Sequence, residues 1–198
     1  MNTLPESILQ AAQSLPEGKV LSPKAFLHLG SRAAVDQAFS RLARSGRLLR
    51  IARGMYTPPV SSRFGTRPPA PHRVLGAWAE QRGEVVVPHG ANAANALGLT
   101  RQVPVREVYL TSGRPRKLRL GRTEVLLKHA PNWMISLGTR PAGAAIRALA
   151  WMGRAHAETA LSTLRHTLPA EEWQTLVSAH ALLPAWMAQA IGKAAAHG

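Results

Sequence analysis

Residues 31–59 read SRAAVDQAFSRLARSGRLLRIARGMYTPP. Ser31 suits a helix N-cap, because its hydroxyl can accept one of the unpaired amide hydrogens of a first turn. Val35, Ala38, Phe39 and Leu42 then recur at the i, i+3, i+4, i+7 spacing of one buried stripe. The other side of that helix carries Arg32, Asp36, Gln37, Ser40, Arg41 and Arg44, and Gly46 closes it beyond Ser45. Two β-prone runs follow, Arg47–Ala52 and Met55–Thr57, around Arg53-Gly54. That spacing predicts a hairpin, and Pro58-Pro59 ends the unit.

Upstream, Thr3-Leu4-Pro5-Glu6 is a helix start, and Ile8, Ala11, Ala12 and Leu15 share one helical face. Pro16-Glu17-Gly18 stops that helix, and Val20-Leu21 is a short extended piece. Ser22-Pro23 opens a second, short helix over Lys24–Leu29, with Phe26, Leu27 and Leu29 available for burial and Gly30 as its stop. Helix, short strand, helix, tight turn, helix and hairpin is the order of a winged helix-turn-helix. A plain three-helix domain with solvated polar faces would share it. In the winged reading the third helix enters the major groove, and the expected DNA-contacting set is Ser31, Arg32, Gln37, Ser40, Arg41, Arg44, Arg47, Arg50 and Arg53. Gln37 matches an adenine edge, Arg a guanine edge or a phosphate, and Arg50 and Arg53 sit near the wing tip.

Downstream, the proline-rich stretch 60–71 reads as a linker between a winged helix-turn-helix domain at 1–59 and a mixed domain at 72–198, or equally as an ordered strap on the protein, because Phe64 in its middle needs somewhere to pack. Val74, Leu75, Trp78 and Ala79 predict a helix ending near Gly83. Strands are expected at 84–88 and 106–112, with a small-residue helix at 92–97 between them. A second hairpin is expected from 116–120 and 123–129 around Gly121-Arg122, and helices at 142–151, 156–166, 171–181 and 184–193. The fold class is therefore α+β: a winged helix-turn-helix, then a mixed α/β domain with a helical C-terminal tail. The second hairpin holds the densest basic run. Alternation places Lys117 and Arg119 on one face and Leu118 and Leu120 on the other. Arg114, Arg116, Lys117, Arg119 and Arg122 are expected to form a second basic surface, which follows a phosphate backbone, docks an acidic protein, or is only a solvated edge strand protected from aggregation by its charge.

Charge supports a polyanionic partner. The 198 residues hold 25 Lys+Arg against 10 Asp+Glu, a net +15. Residues 61–130 hold 12 basic and 4 acidic residues, whereas residues 131–198 hold 5 and 3, so the excess lies in the first two thirds. The absence of cysteine excludes disulfides, iron–sulfur clusters, thiol chemistry and Cys-based zinc sites. Asp36 is the sole aspartate, which excludes the paired-aspartate metal site of a nucleotidyltransferase. There is no P-loop, no Gly-x-Ser-x-Gly elbow and no His-Glu-x-x-His spacing. A non-enzyme without metal or cofactor is the expectation. MNTLPESILQ lacks a basic n-region, and no apolar run is long enough to span a membrane, so a cytoplasmic protein is expected.

VDQAFSRLARSGRLLRIARGMYTPP (35–59) resembles the N-terminal winged-helix domain of the AbiEi antitoxins of type IV toxin–antitoxin, or abortive infection, systems. The match centres on Ala52-Arg53-Gly54-Met55-Tyr56. Val87-Pro88-His89-Gly90-Ala91-Asn92-Ala93-Ala94-Asn95-Ala96-Leu97-Gly98-Leu99 and Val108-Tyr109-Leu110-Thr111-Ser112-Gly113 are similar to that group's second domain. The resemblance implies a transcriptional repressor that binds inverted repeats in its own operator, with a cognate nucleotidyltransferase-like toxin as partner. Two other roles share these features. One is a protein-interaction module that neutralises an acidic toxin, with DNA binding secondary. The other is an orphan winged-helix regulator without a toxin.

Overall fold

The computed structural model of the protein describes residues 3–196, a mixed α+β fold. The chain forms two compact units. One holds the chain up to Glu84 together with a returning segment, Arg116–Leu126; the other holds Val85–Pro115 and the chain from Leu127 onward. No helix among the described residues is long and apolar enough to cross a membrane.

In the first unit, α1 (Leu4–Gln13) buries Ile8, Leu9 and Ala12. The Glu6 carboxylate reaches back to accept the Thr3 amide at 2.7 Å. The segment Pro23–Leu29 is a 3-10 helix rather than an α-helix. With three residues per turn, Pro23 and Phe26 align and are buried. Leu27 falls off that row and Leu29 is its last residue, so both are exposed, contrary to the expectation for them. Helix α2 (Arg32–Arg44) buries Val35, Ala38, Phe39 and Leu42, the stripe read from the sequence. Phe39 packs edge-on against Phe26, with centroids 5.4 Å apart, and against Tyr56 at 4.9 Å.

Strands β1 (Leu49–Ala52) and β2 (Met55–Thr57) pair antiparallel, with an irregularity between Arg50 and Ala52 and a turn in which Gly54 adopts φ +67°. Leu21 adds a bridge to Tyr56, so the short extended piece pairs with the hairpin. The stretch read either as a linker or as an ordered strap is folded. Val60–Ser62 (β3) and Gly65–Arg67 (β4) form a second antiparallel hairpin. The following strap is tied down by Glu17, which accepts from Arg67 Nη1 and from the Ala70 amide, each at 3.1 Å.

The expected domain start at residue 72 does not coincide with a unit boundary. Helix α3 (Pro71–Arg82) belongs to the first unit and buries Val74, Leu75 and Trp78. The backbone of α3 at Arg73 comes so close to Gly18 that a Cβ there would lie 2.7 Å from the Arg73 carbonyl carbon, and Gln81 Nε2 donates to Val20 O at 2.8 Å. These long-range contacts cannot be read from composition. Past residue 115 the chain returns to the first unit as β7 (Arg116–Leu120) and the start of β8 (Thr123–His129). The turn residue Gly121 sits against Pro68.

In the second unit, β5 (Val86–Pro88) pairs antiparallel with β6 (Glu107–Thr111), Val87 opposite Leu110. Between them lies α4 (Gly90–Ala96), and a short α5 (Asn132–Ile135) follows β8. Four helices complete the unit: α6 (Pro141–Met152), α7 (Ala157–Thr167), α8 (Ala170–Ser178) and α9 (Ala185–Ala196). Their core includes Ile146, Leu149, Leu161, Leu164, Leu176, Met187 and Ile191. Glu172 joins α8 to α6. It accepts from Arg140 at 2.8 and 3.0 Å and from the Ala142 amide at 2.9 Å.

The small-residue run Gly90–Leu97 is explained by packing. Ala93 and Ala94 of α4 are buried with Ala148 of α6, and a Cβ on Gly90 would collide with the Arg147 carbonyl oxygen and Trp151 Cβ. Arg147 is itself buried. It donates Nη1 to the carbonyls of Met134 (3.3 Å) and Gly138 (2.9 Å), and burial pushes its pKa down to about 10.

Candidate nucleic-acid interface

Basic charge concentrates in the first unit, which holds 16 of the 25 Lys+Arg and 6 of the 10 Asp+Glu. Helix α2 presents its polar side outward because Val35, Ala38, Phe39 and Leu42 fix the other side in the core. Gln37, Arg41 and Arg44 are all exposed, at i, i+4 and i+7, and form one row along the helix. Neither Arg41 nor Arg44 has an ion-pair partner among the described residues.

The start of the helix is different. The Ser31 hydroxyl accepts the Ala34 amide at 3.3 Å as a cap, and Arg32 Nε donates to Asp36 Oδ2 at 2.9 Å. Ser40 is half-buried. The uncompensated charge therefore sits on the last two turns. Arg47 follows, exposed, and helps to lower the Glu6 carboxyl after the larger effect of the hydrogen bonds from Thr3. Arg50 and Arg53 are exposed on β1 and its turn, without an ion-pair partner among the described residues.

The expected second basic surface is divided. Arg114 lies in the second unit, whereas Arg116, Lys117, Arg119 and Arg122 lie in the first. Strand β7 alternates as expected, with Leu118 and Leu120 buried and Lys117 and Arg119 exposed. It packs beside β1, so the exposed cations of both strands belong to one unit. Lys117 pairs loosely with Glu124 at 3.6 Å.

Arg116 is not an available cation. Its Nη1 donates to both oxygens of Glu84, at 2.9 and 3.0 Å, and its guanidinium lies 5.5 Å from the centroid of the buried Trp78 ring. Burial pushes the Glu84 carboxyl up, but hydrogen bonds from Arg116 and then Arg82 outweigh it and hold the group below its ordinary value. A basic residue in a basic run looks like its neighbours until its partner, 32 positions away, is known.

A family model described as a family of unknown function, DUF6088, matches residues 7–176. The chain belongs to the DUF6088 family. The match runs from within α1 through most of α8 and so includes the α2 face and the part of the second unit that precedes α9. No curated protein matches the chain. Among solved structures, the RV2827C protein from Mycobacterium tuberculosis is similar in fold, with a TM-score of 0.52 at 15% identity, over 98% of this chain and 76% of that one.

Among the described residues no group of three or more His, Asp or Glu side chains is placed to hold a metal ion. A groove of about 760 Å³ between α7 and α9 is lined in part by Glu158, Arg165, His166 and Lys193, none of which the sequence reading had marked. Phe64, the aromatic residue that the proline-rich stretch must place, stands beside Arg63, which no sequence signal singles out. They lie at the tip of the β3–β4 hairpin, where Phe64 is 85% exposed. The signal for Phe64 is an aromatic residue inside a polar, proline-rich stretch.

Proposed function

We propose that this DUF6088 protein is a sequence-specific, double-stranded DNA-binding repressor whose α1, 3-10 helix, α2 and β1–β2 hairpin act as a winged helix-turn-helix. The observation that carries this reading is the exposed row Gln37, Arg41, Arg44 on α2, whose two arginines have no ion-pair partner among the described residues. A helix N-capped by Ser31 and anchored by Phe39 can enter a major groove with such a row facing base edges. Arg50 and Arg53, on the adjoining hairpin, would add phosphate or minor-groove contacts.

The resemblance to AbiEi antitoxins extends the proposal. The DNA would be the operator of the protein's own operon, with inverted repeats, and the second unit would serve a nucleotidyltransferase-like toxin. Footprinting on the region upstream of its gene tests the first part. Protection of an inverted repeat by the parent, lost in an Arg41→Ala, Arg44→Ala double variant, is the expected result. Binding no stronger than to unrelated duplex, unaffected by that variant, would refute it. Co-purification with the product of the adjacent gene tests the second part.

A further inference from the structure

The β3–β4 hairpin ends in Ser62-Arg63-Phe64-Gly65, and residues 58–73 contain three arginines and no acidic residue. The Phe64 ring is held outward at a built tip. The Ser62 hydroxyl accepts the Phe64 amide at 3.2 Å and donates to the Gly65 carbonyl at 3.1 Å. Gly65 adopts φ +109°, a conformation that favours glycine. The Arg63 guanidinium lies 4.7 Å from the ring centroid.

The base of the hairpin is placed as firmly. Ser61 and Thr66 line a cleft of about 350 Å³ together with Ser45, Gly46 and Arg47, the residues that follow α2. Arg67 is paired to Glu17 at 3.1 Å. The tip therefore rises from a fixed base next to the end of the helix with the exposed Gln37–Arg44 row.

We propose that this hairpin is a wedge for duplex DNA, with Phe64 stacking on a base step in the minor groove and Arg63 holding the groove or its phosphates. The inference rests on the reading of α2 as the groove-entering helix. Residues 61–68 are all exposed, and Phe64 is the only large apolar side chain among them. A protein-docking hot spot is instead ringed by contacts that exclude water. A lone ring among cations suits a polyanion whose every base offers a π-face. Apolar wedges of this kind unstack a base step and kink the duplex, and narrow minor grooves attract arginine.

The test uses the full chain and a labelled duplex from the region upstream of its own gene. Anisotropy reads affinity, and energy transfer between end labels reads bending. Phe64→Ala is expected to weaken binding about 5- to 150-fold and to abolish the bend, whereas Phe64→Trp retains both. Melting temperature should not move, because the ring is in solvent. Equal affinity and bend in Phe64→Ala and parent overturn the wedge, and if Arg41→Ala still weakens binding, the α2 reading stands without it. Unchanged DNA binding with altered self-association assigns the tip to a protein contact and also overturns it. If the parent binds no duplex, the α2 reading fails and the wedge fails with it.

Discussion

Replacing Arg116 with Ala separates a structural cation from the exposed ones around it. In the parent, Arg116 makes two charge-assisted hydrogen bonds to Glu84 and stacks on Trp78, which is only 2% exposed. Hydrogen bonds to a charged group contribute about 1.5–3 kcal/mol, and a cation over an aromatic ring about 0.5–1. The loss is smaller than their sum, because Arg82 Nε remains 3.1 Å from Glu84 and water reaches part of the pair. We expect a loss of roughly 1–3 kcal/mol, which for a chain of this size lowers the melting temperature by about 2–4 °C per kcal/mol.

The pH dependence gives a second readout. The folded pKa of Glu84 is depressed, so this stabilisation is fully present above the ordinary carboxylate value and is lost as pH falls through the lowered folded value. Arg116→Ala should flatten that acid limb, whereas Arg119→Ala, at an exposed position, should leave melting unchanged. The assay is thermal and urea denaturation of both variants across acidic to neutral pH, with DNA affinity measured in parallel. Equal stability of Arg116→Ala and parent, or equal effects of Arg116→Ala and Arg119→Ala on melting, would refute the structural assignment.

At the proposed interface, Gln37→Ala or Arg41→Ala should cost about 1–3 kcal/mol at the preferred site and relax base preference, measured by competition with altered duplexes. Arg53→Ala should weaken all sequences alike and flatten the logarithmic salt slope by roughly 0.9, and a change in preferred sequence would show that the turn reads bases. Gly90→Ala should destabilise the second unit by about 1–3 kcal/mol in denaturant titrations, because α4 and α6 must part to admit the methyl group. His89 caps α4 by accepting the Ala91 amide on Nδ1 at 3.3 Å, and burial, then Lys128, hold its pKa below the ordinary value. Stability should fall as pH drops from about 6.5 toward that lowered value, and His89→Asn, which can cap without titrating, should remove this slope.

The sequence by itself determined the elements whose signals are local. The α2 stripe repeats every three to four residues within one helix, the x-Gly turn of β1–β2 needs only its neighbours, and the alternation of β7 is visible across five residues. The candidate α2 row was legible for the same reason, since a buried face of known period fixes the exposed one. Tertiary structure decided everything that depends on distant partners. Proline content suggested a linker at 60–71, yet Glu17, some 50 positions earlier, ties that stretch down. Residues 72–84 joined the first unit because α3 meets Gly18 and Gln81 reaches Val20, and residues 116–126 because β7 lies beside β1 and Gly121 sits against Pro68, contacts that leave no trace in local composition. Arg116 and Arg119 look alike in a basic run, and only the position of Glu84 makes one a structural ion and leaves the other exposed. Periodicity encodes which side of an element is buried; which other element buries it, and which charges are neutralised there, is settled only when the chain closes on itself.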